Sequence, residues 1–213
     1  MAGDETRFKQ DFFDDVETIS VKDPLSYALG VMEDGEPMVF TYKDAIKMAG
    51  HSCAAVSGAY KITAKALKAL YGDELPVRGD IKITVKGKPT DLAYGPMSQV
   101  MTLITGASTE TGFQGLGGGR YGRYRLLSFD GDNFEPNTFI FERRDTGKKV
   151  KVVFNQQPLP ENPRMGMVAG PALSGAASDE VREEFFSIWQ GKVRMILLDD
   201  DKYPGLFTVT EIA

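Results

Sequence analysis

The stretch from Asp44 to Tyr71 constrains the fold more than any other. Cys53, Val56, Tyr60, Ala64, Leu67 and Tyr71 recur at three- and four-residue spacings, which sets them on one stripe of a helix. Lys61, Lys65 and Lys68 fall on another face, expected to be solvated. Gly50 interrupts the pattern. The spacing therefore predicts a short helix ending near Ala49 and a longer one starting near Ser52, closed by Gly72-Asp73.

The remaining segments follow from their periodicities. Ile81 to Val85 is β-branched and alternates with lysine, a strand pattern. Gly87-Lys88-Pro89 reads as a turn before a short strand near Leu92, and Pro96 to Thr105 as a second core helix. Tyr124–Phe129, Phe139–Arg143 and Val150–Phe154 read as strands, the last two joined in a hairpin by Asp145-Thr146-Gly147-Lys148. Upstream, Phe12, Val16 and Ile19 have helical spacing. Glu33-Asp34-Gly35-Glu36 lies between Leu25–Leu29 and Met38–Phe40, which predicts a hairpin. Downstream, residues 155–178 are rich in Pro, Gly, Ala and Ser, as in a linker or surface segment. Ser178 caps a helix with Val181, Phe185, Ile188 and Trp189 on its apolar face. Val193–Leu198 and Phe207–Val209 read as strands. This order predicts an α+β fold with a helix-decorated mixed or antiparallel sheet. It divides into an N-terminal extension with a hairpin (1–40), a core (41–155), and a C-terminal linker, helix and strand completing the same domain (156–213).

Composition then limits the chemistry. A net charge of -5 over 213 residues argues against a nucleic-acid binder, which carries a basic excess. The single cysteine precludes an intramolecular disulfide, and one Cys with one His cannot make a Cys/His zinc finger. Residues 1–5 lack the basic and apolar regions of a signal peptide, and no apolar run nears the roughly 20 residues of a membrane helix. A cytoplasmic location without a membrane partner is expected.

His51 and Cys53 are the rarest chemistry in the chain. Inside a helix they would point about 200° apart, whereas at a helix start both can converge on one point. A thiolate there is favoured by the positive helix end. Imidazole with thiolate suits zinc first, and iron or haem iron also takes these ligands. Two other readings stand beside this one. Cys53 can pack in the core while His51 caps, or Cys53 can be a nucleophile with His51 as its partner, making the chain a cysteine-dependent enzyme.

Residues 106–122 hold seven glycines. Gly117-Gly118-Gly119-Arg120-Tyr121-Gly122 matches G-x-G-x-x-G, yet a strand pattern follows where a dinucleotide site needs a helix. The stretch reads as a surface loop or as a lid over a site. Arg120, Arg123 and Arg125 flank it. Arg120 and Arg123 are candidates for holding an anionic small molecule, against the plainer reading of a solvated strand face.

Three stretches carry a family likeness. Ala49-Gly50-His51-Ser52-Cys53 opens a helix ending Ala69-Leu70-Tyr71-Gly72. Ile104-Thr105-Gly106-Ala107-Ser108 follows an apolar helix. Phe139 to Lys148 makes a late hairpin. Over residues 40–155 these resemble the FmdE family, the small FmdE component of formylmethanofuran dehydrogenase together with its stand-alone members. The resemblance implies an FmdE-like mixed sheet, a homodimer, and a metal held by His51 and Cys53. It also implies a second cysteine where Ala107 stands, and a cysteine and aspartate near Pro96 and Gln99; the family's C-terminal cysteine-rich zinc module is absent. The first functional expectation is thus a metal-associated protein. The alternative on the same fold is a non-metal small-molecule, anion-binding or interaction protein.

Overall fold

A computed structural model describes residues 5–213. The helix expected around Phe12 to Ile19 shrinks to one 3-10 turn, Asp11–Asp15, and Ile19–Val21 forms strand β1. Asp23 caps a short helix, α1 (Pro24–Ala28), its carboxylate accepting from the Leu25 and Ser26 amides. Pro24 at the first helical position costs no hydrogen bond. Because α1 claims Leu25, the expected pairing of Leu25–Leu29 with Met38–Phe40 does not form. Strand β2 (Met38–Phe40) pairs antiparallel with β1 instead.

The Asp44–Tyr71 pattern folds as its spacing predicts. Helix α2 (Tyr42–Ala49) opens on a capping box between Thr41 and Asp44 and ends at Gly50, whose φ of 74° is left-handed. That conformation suits glycine and stops the helix. Helix α3 (Ala54–Tyr71) buries Val56, Tyr60, Leu67 and Tyr71. Strand β3 (Ile81–Val85) and helix α4 (Tyr94–Thr105) follow. Between them, Leu92 is not in a strand but in a turn, with φ 49°.

The main sheet adds β4 (Leu127–Phe129), β5 (Thr138–Arg143), β6 (Lys149–Phe154) and β7 (Phe207–Ile212), in the order β4-β3-β5-β6-β7. Only the β3–β4 pair is parallel; the others are antiparallel. Ile81, Ile83, Phe139, Phe141, Val150, Val152 and Phe154 are buried on one face, beneath α3 and α4. Lys82, Thr84, Glu142 and Lys151 alternate onto the other, more open face, a common state for largely antiparallel sheets. Gly58 lets α3 sit close on β6: a Cβ there would lie 2.4 Å from Cε1 of Phe154.

Two C-terminal expectations change. The segment 155–178 contains helix α5 (Met165–Ser174), and helix α6 (Asp179–Leu198) runs through the expected strand at Val193–Leu198. Val193, Ile196 and Leu197 extend the stripe of Phe185 and pack on α3, so burial at helical spacing outweighs local β propensity. Lys61 and Lys65 are not merely solvated: both bind Asp200, at 2.8 and 2.7 Å, and tie the end of α6 to α3. The architecture is α+β, a mixed sheet with flanking helices. No helix among the described residues is long and apolar enough to cross a membrane.

Candidate functional site

Lys22, one residue past β1, bridges to the segment before β3: its amide donates to Pro76 O and its carbonyl accepts from the Arg78 amide, both at 2.8 Å. This bridge sets Asp23 beside Arg78. The Asp23 side chain is 1% exposed and receives Arg78 Nη1 at 2.9 Å. It also receives Arg123 Nη2, at 2.7 and 2.8 Å on its two oxygens. Burial pushes this carboxyl up, but the Arg78 bond, the Arg123 charge and bond, and the Ser26 amide together hold it below its ordinary value. Two guanidiniums share one carboxylate, so the cluster keeps a positive charge.

The two arginines differ in what they have left to give. Arg78 also donates from Nε to Ile104 O (3.1 Å) and from Nη2 to Leu103 O (3.0 Å). Those are carbonyls of the last turn of α4, where a cation complements the negative helix end. Burial, then the Arg123 charge, pull Arg78 below its usual value, and Asp23 opposes them. Arg123 engages only Nη2 in this way. Among the described residues its Nε and Nη1 donate to no protein group, though a guanidinium carries five N–H donors.

The glycine-rich segment places Arg123. The Arg123 carbonyl accepts from the Ser108 amide at 2.9 Å, and its own amide donates to Phe113 O at 2.7 Å. Leu116 and Arg120 exchange backbone bonds of 2.8 and 2.9 Å around Gly117-Gly118-Gly119, whose φ values of 46°, 86° and 96° are all left-handed. At Gly112 a Cβ would lie 2.8 Å from the Tyr124 Cα. The expected surface loop is thus stitched to itself, and glycine is what permits the close approach. Arg123 and Arg125 are not on a strand as expected; β4 starts only at Leu127.

These elements enclose a cleft of about 600 Å³ bordered by Arg78, Arg120, Arg123, Arg125 and Arg144. That volume suits a small metabolite. Five arginines border this one cleft in a chain of net charge -5; Asp23 and Glu110 offset part of that charge, and the remainder is a local positive field that draws anions. Arg120 and Arg125 lie at the rim, Arg125 paired with exposed Glu110 at 2.7 Å. Arg144 Nη1 donates to Gly79 O at 3.2 Å. Among the described residues Asp80 is the one carboxylate lining the cleft. Burial, then the nearby Asp145, push it above its ordinary value, against Arg144 and Arg143.

His51 and Cys53 lie elsewhere. His51 is exposed, and its Nδ1 bonds the Ala49 carbonyl at 3.0 Å. Cys53 is half-buried at the start of α3 and packs against the core. Ser52 between them is held by Tyr42, hydroxyl to hydroxyl at 2.8 Å, and by Trp189 Nε1 on its carbonyl at 2.8 Å. Among the described residues no group of three or more His, Cys, Asp or Glu can hold a metal ion. This overturns the expected metal site and with it the zinc, iron and haem assignments, because two ligands without a third or fourth are too few. Ala107 is buried and brings no donor side chain. Zinc titration should raise the melting temperature of neither the native chain nor His51→Ala; a stoichiometric rise confined to the native chain would restore the metal.

Of the residues singled out by sequence, the cleft thus gathers Arg120, Arg123 and Arg125, and leaves out His51 and Cys53. Asp23, Arg78, Asp80 and Arg144 were not foreseen. Asp23-Pro24 carried a readable signal as a helix cap, but not as a counter-ion. No protein-family model matches the chain, and no curated protein matches it.

Proposed function

We propose that this chain binds a small anionic molecule, bearing a phosphate or carboxylate group, in the arginine-lined cleft. The observation that carries this is Arg123: a residue of the cleft lining whose guanidinium is anchored by buried Asp23 and whose Nε and Nη1 donate to no protein group among the described residues. A fixed planar fork of donors matches the oxygens of a phosphate or carboxylate. Arg120 and Arg144 add positive field at the rim and speed capture. We propose further that the architecture carrying the cleft is FmdE-like over residues 40–155. His51-Ser52-Cys53 directly before α3, Gly106 closing α4 and the β5–β6 hairpin support that kinship.

Calorimetric titration with inorganic phosphate and pyrophosphate tests the binding. Both should bind the native chain, pyrophosphate more tightly, with affinity falling as salt rises. Arg123→Gln should lose about tenfold or more, the scale of one hydrogen bond between charged groups. Exposed Arg120→Ala, which leaves the Asp23 cluster intact, should lose a few-fold by the loss of one rim charge. Native protein that binds neither of these anions nor a dicarboxylate such as succinate, or variants that melt normally and bind as the native chain does, would overturn the proposal.

A further inference from the structure

Tyr121 stands where glycine would fit better. The segment turns left-handed at Gly115, Gly117, Gly118 and Gly119, and glycine takes that conformation without strain. Tyr121 takes it too, with φ 62°, although a Cβ crowds the backbone there. Among the described residues four non-glycines have positive φ, and two of them, Tyr121 and Arg125, belong to the lining of the arginine cleft. Such strain persists where the side chain it carries is needed. Packing does not supply the need: Tyr121 is half-buried and stands outside the hydrophobic core of the described residues.

What the ring does touch is a guanidinium. Arg120 lies over it, 5.2 Å from the centroid, and donates from Nη2 to the Tyr121 hydroxyl at 3.3 Å. The pairing recurs a few residues on, where the Arg125 guanidinium stands 5.7 Å from the centroid of the Tyr124 ring. All four residues line the cleft. Anion donors and flat apolar faces thus come as joined units, and a charged group bound to Arg120 lies beside the Tyr121 ring. Pro24 and Leu25 add apolar wall. A bare phosphate or carboxylate would use none of this surface. An aromatic ring would, because it stacks on tyrosine and on guanidinium alike. Resting on the anion reading above, we infer that the ligand is an aromatic anion: the arginines hold its charged group, and its ring packs on Tyr121. Mononucleotides and aryl carboxylates share this chemistry.

Two matched pairs test the inference and separate the two sources. AMP is compared with ribose 5-phosphate, and phenylacetate with cyclohexylacetate, which fills similar space without a π face, by calorimetry on the native chain and on two variants. In at least one pair the aromatic member should bind the native chain more tightly, by about tenfold for AMP and about fivefold for phenylacetate. The pair that responds names the charged group. Tyr121→Gly should bring its two members within about twofold and melt no lower than the native chain, since glycine relieves the backbone. Tyr121→Phe keeps the ring and should keep the preference. Equal binding within both pairs, a preference that survives in Tyr121→Gly, or one that is lost in Tyr121→Phe overturns the inference and leaves the anion reading intact. A ring that merely positions Arg120 would give the second of these results, because its loss would weaken both members alike. If none of the four binds the native chain, the inference falls; the anion reading falls with it only if phosphate, pyrophosphate and succinate fail as well.

Discussion

Asp23→Ala should lower the unfolding free energy by about 3–5 kcal/mol in urea denaturation, the usual cost of leaving a buried charge without its partner. Two guanidiniums would then face each other, Arg78 half-buried under α4 and Arg123 beside it. The same variant removes the α1 cap, worth about 1 kcal/mol. Asp23→Asn separates the two contributions, because its amide oxygen can still cap while its charge is gone. The sign of the pH dependence follows from the depressed carboxyl. The stabilisation is complete above the unfolded value of 3.8 and is lost as pH falls through the lower folded value. Native stability should therefore include an acid-labile portion that Asp23→Ala lacks. A loss below about 1 kcal/mol, as for a surface pair, would show that the cluster does not hold the fold together.

The second large effect concerns how α3 sits on β6. Phe154→Ala should cost about 3–5 kcal/mol, as expected for an aromatic removed from a packed core. Phe154 is buried and stacks on Phe207 with ring centroids 4.9 Å apart, so its ring is held from both sides. Gly58 gives the same contact a second readout. In the native chain Gly58→Ala drives a methyl into that ring and should destabilise by about 1–3 kcal/mol. In the Phe154→Ala background the clash is gone, and the same change should stabilise by up to about 1 kcal/mol through helix propensity. A reversal of sign across this double-mutant cycle is expected. Equal effects in both backgrounds would mean that α3 and β6 do not meet at Gly58.

What could be read from sequence was what local pattern encodes. The break at Gly50, the long helix behind it, the alternating strands and the turn at Asp145–Lys148 each follow from spacings of a few residues. Expectation failed where distant burial decided the outcome. Val193–Leu198 looks like a strand in isolation, and only its place on α3 makes it the end of α6. Helix α5 was hidden by Gly166, Gly170 and Pro171, which argue against a helix one by one. The cleft was half legible. Its glycines and Arg120 and Arg123 stand out in sequence, but Asp23 meets Arg78 across 55 positions and Arg123 across 100, and no periodicity reports such a meeting. His51 and Cys53 drew attention by their rarity, and rarity says nothing about whether further ligands converge on them.

The position of Asp23 also bears on where this molecule can be cut. By sequence the first 40 residues read as an extension before the core of residues 41–155. The counter-ion that anchors Arg123 comes from within that extension, carried there by β1 and α1. A truncation at residue 40 would take Phe13, Val16, Ile19, Val21 and Phe40 out of the buried core, and it would also strip the cleft of its buried negative partner among the described residues and set two cations side by side. The boundary that looks natural along the chain runs through the middle of the cleft in space, and a shortened protein that stays folded should not be expected to keep Arg123 in place.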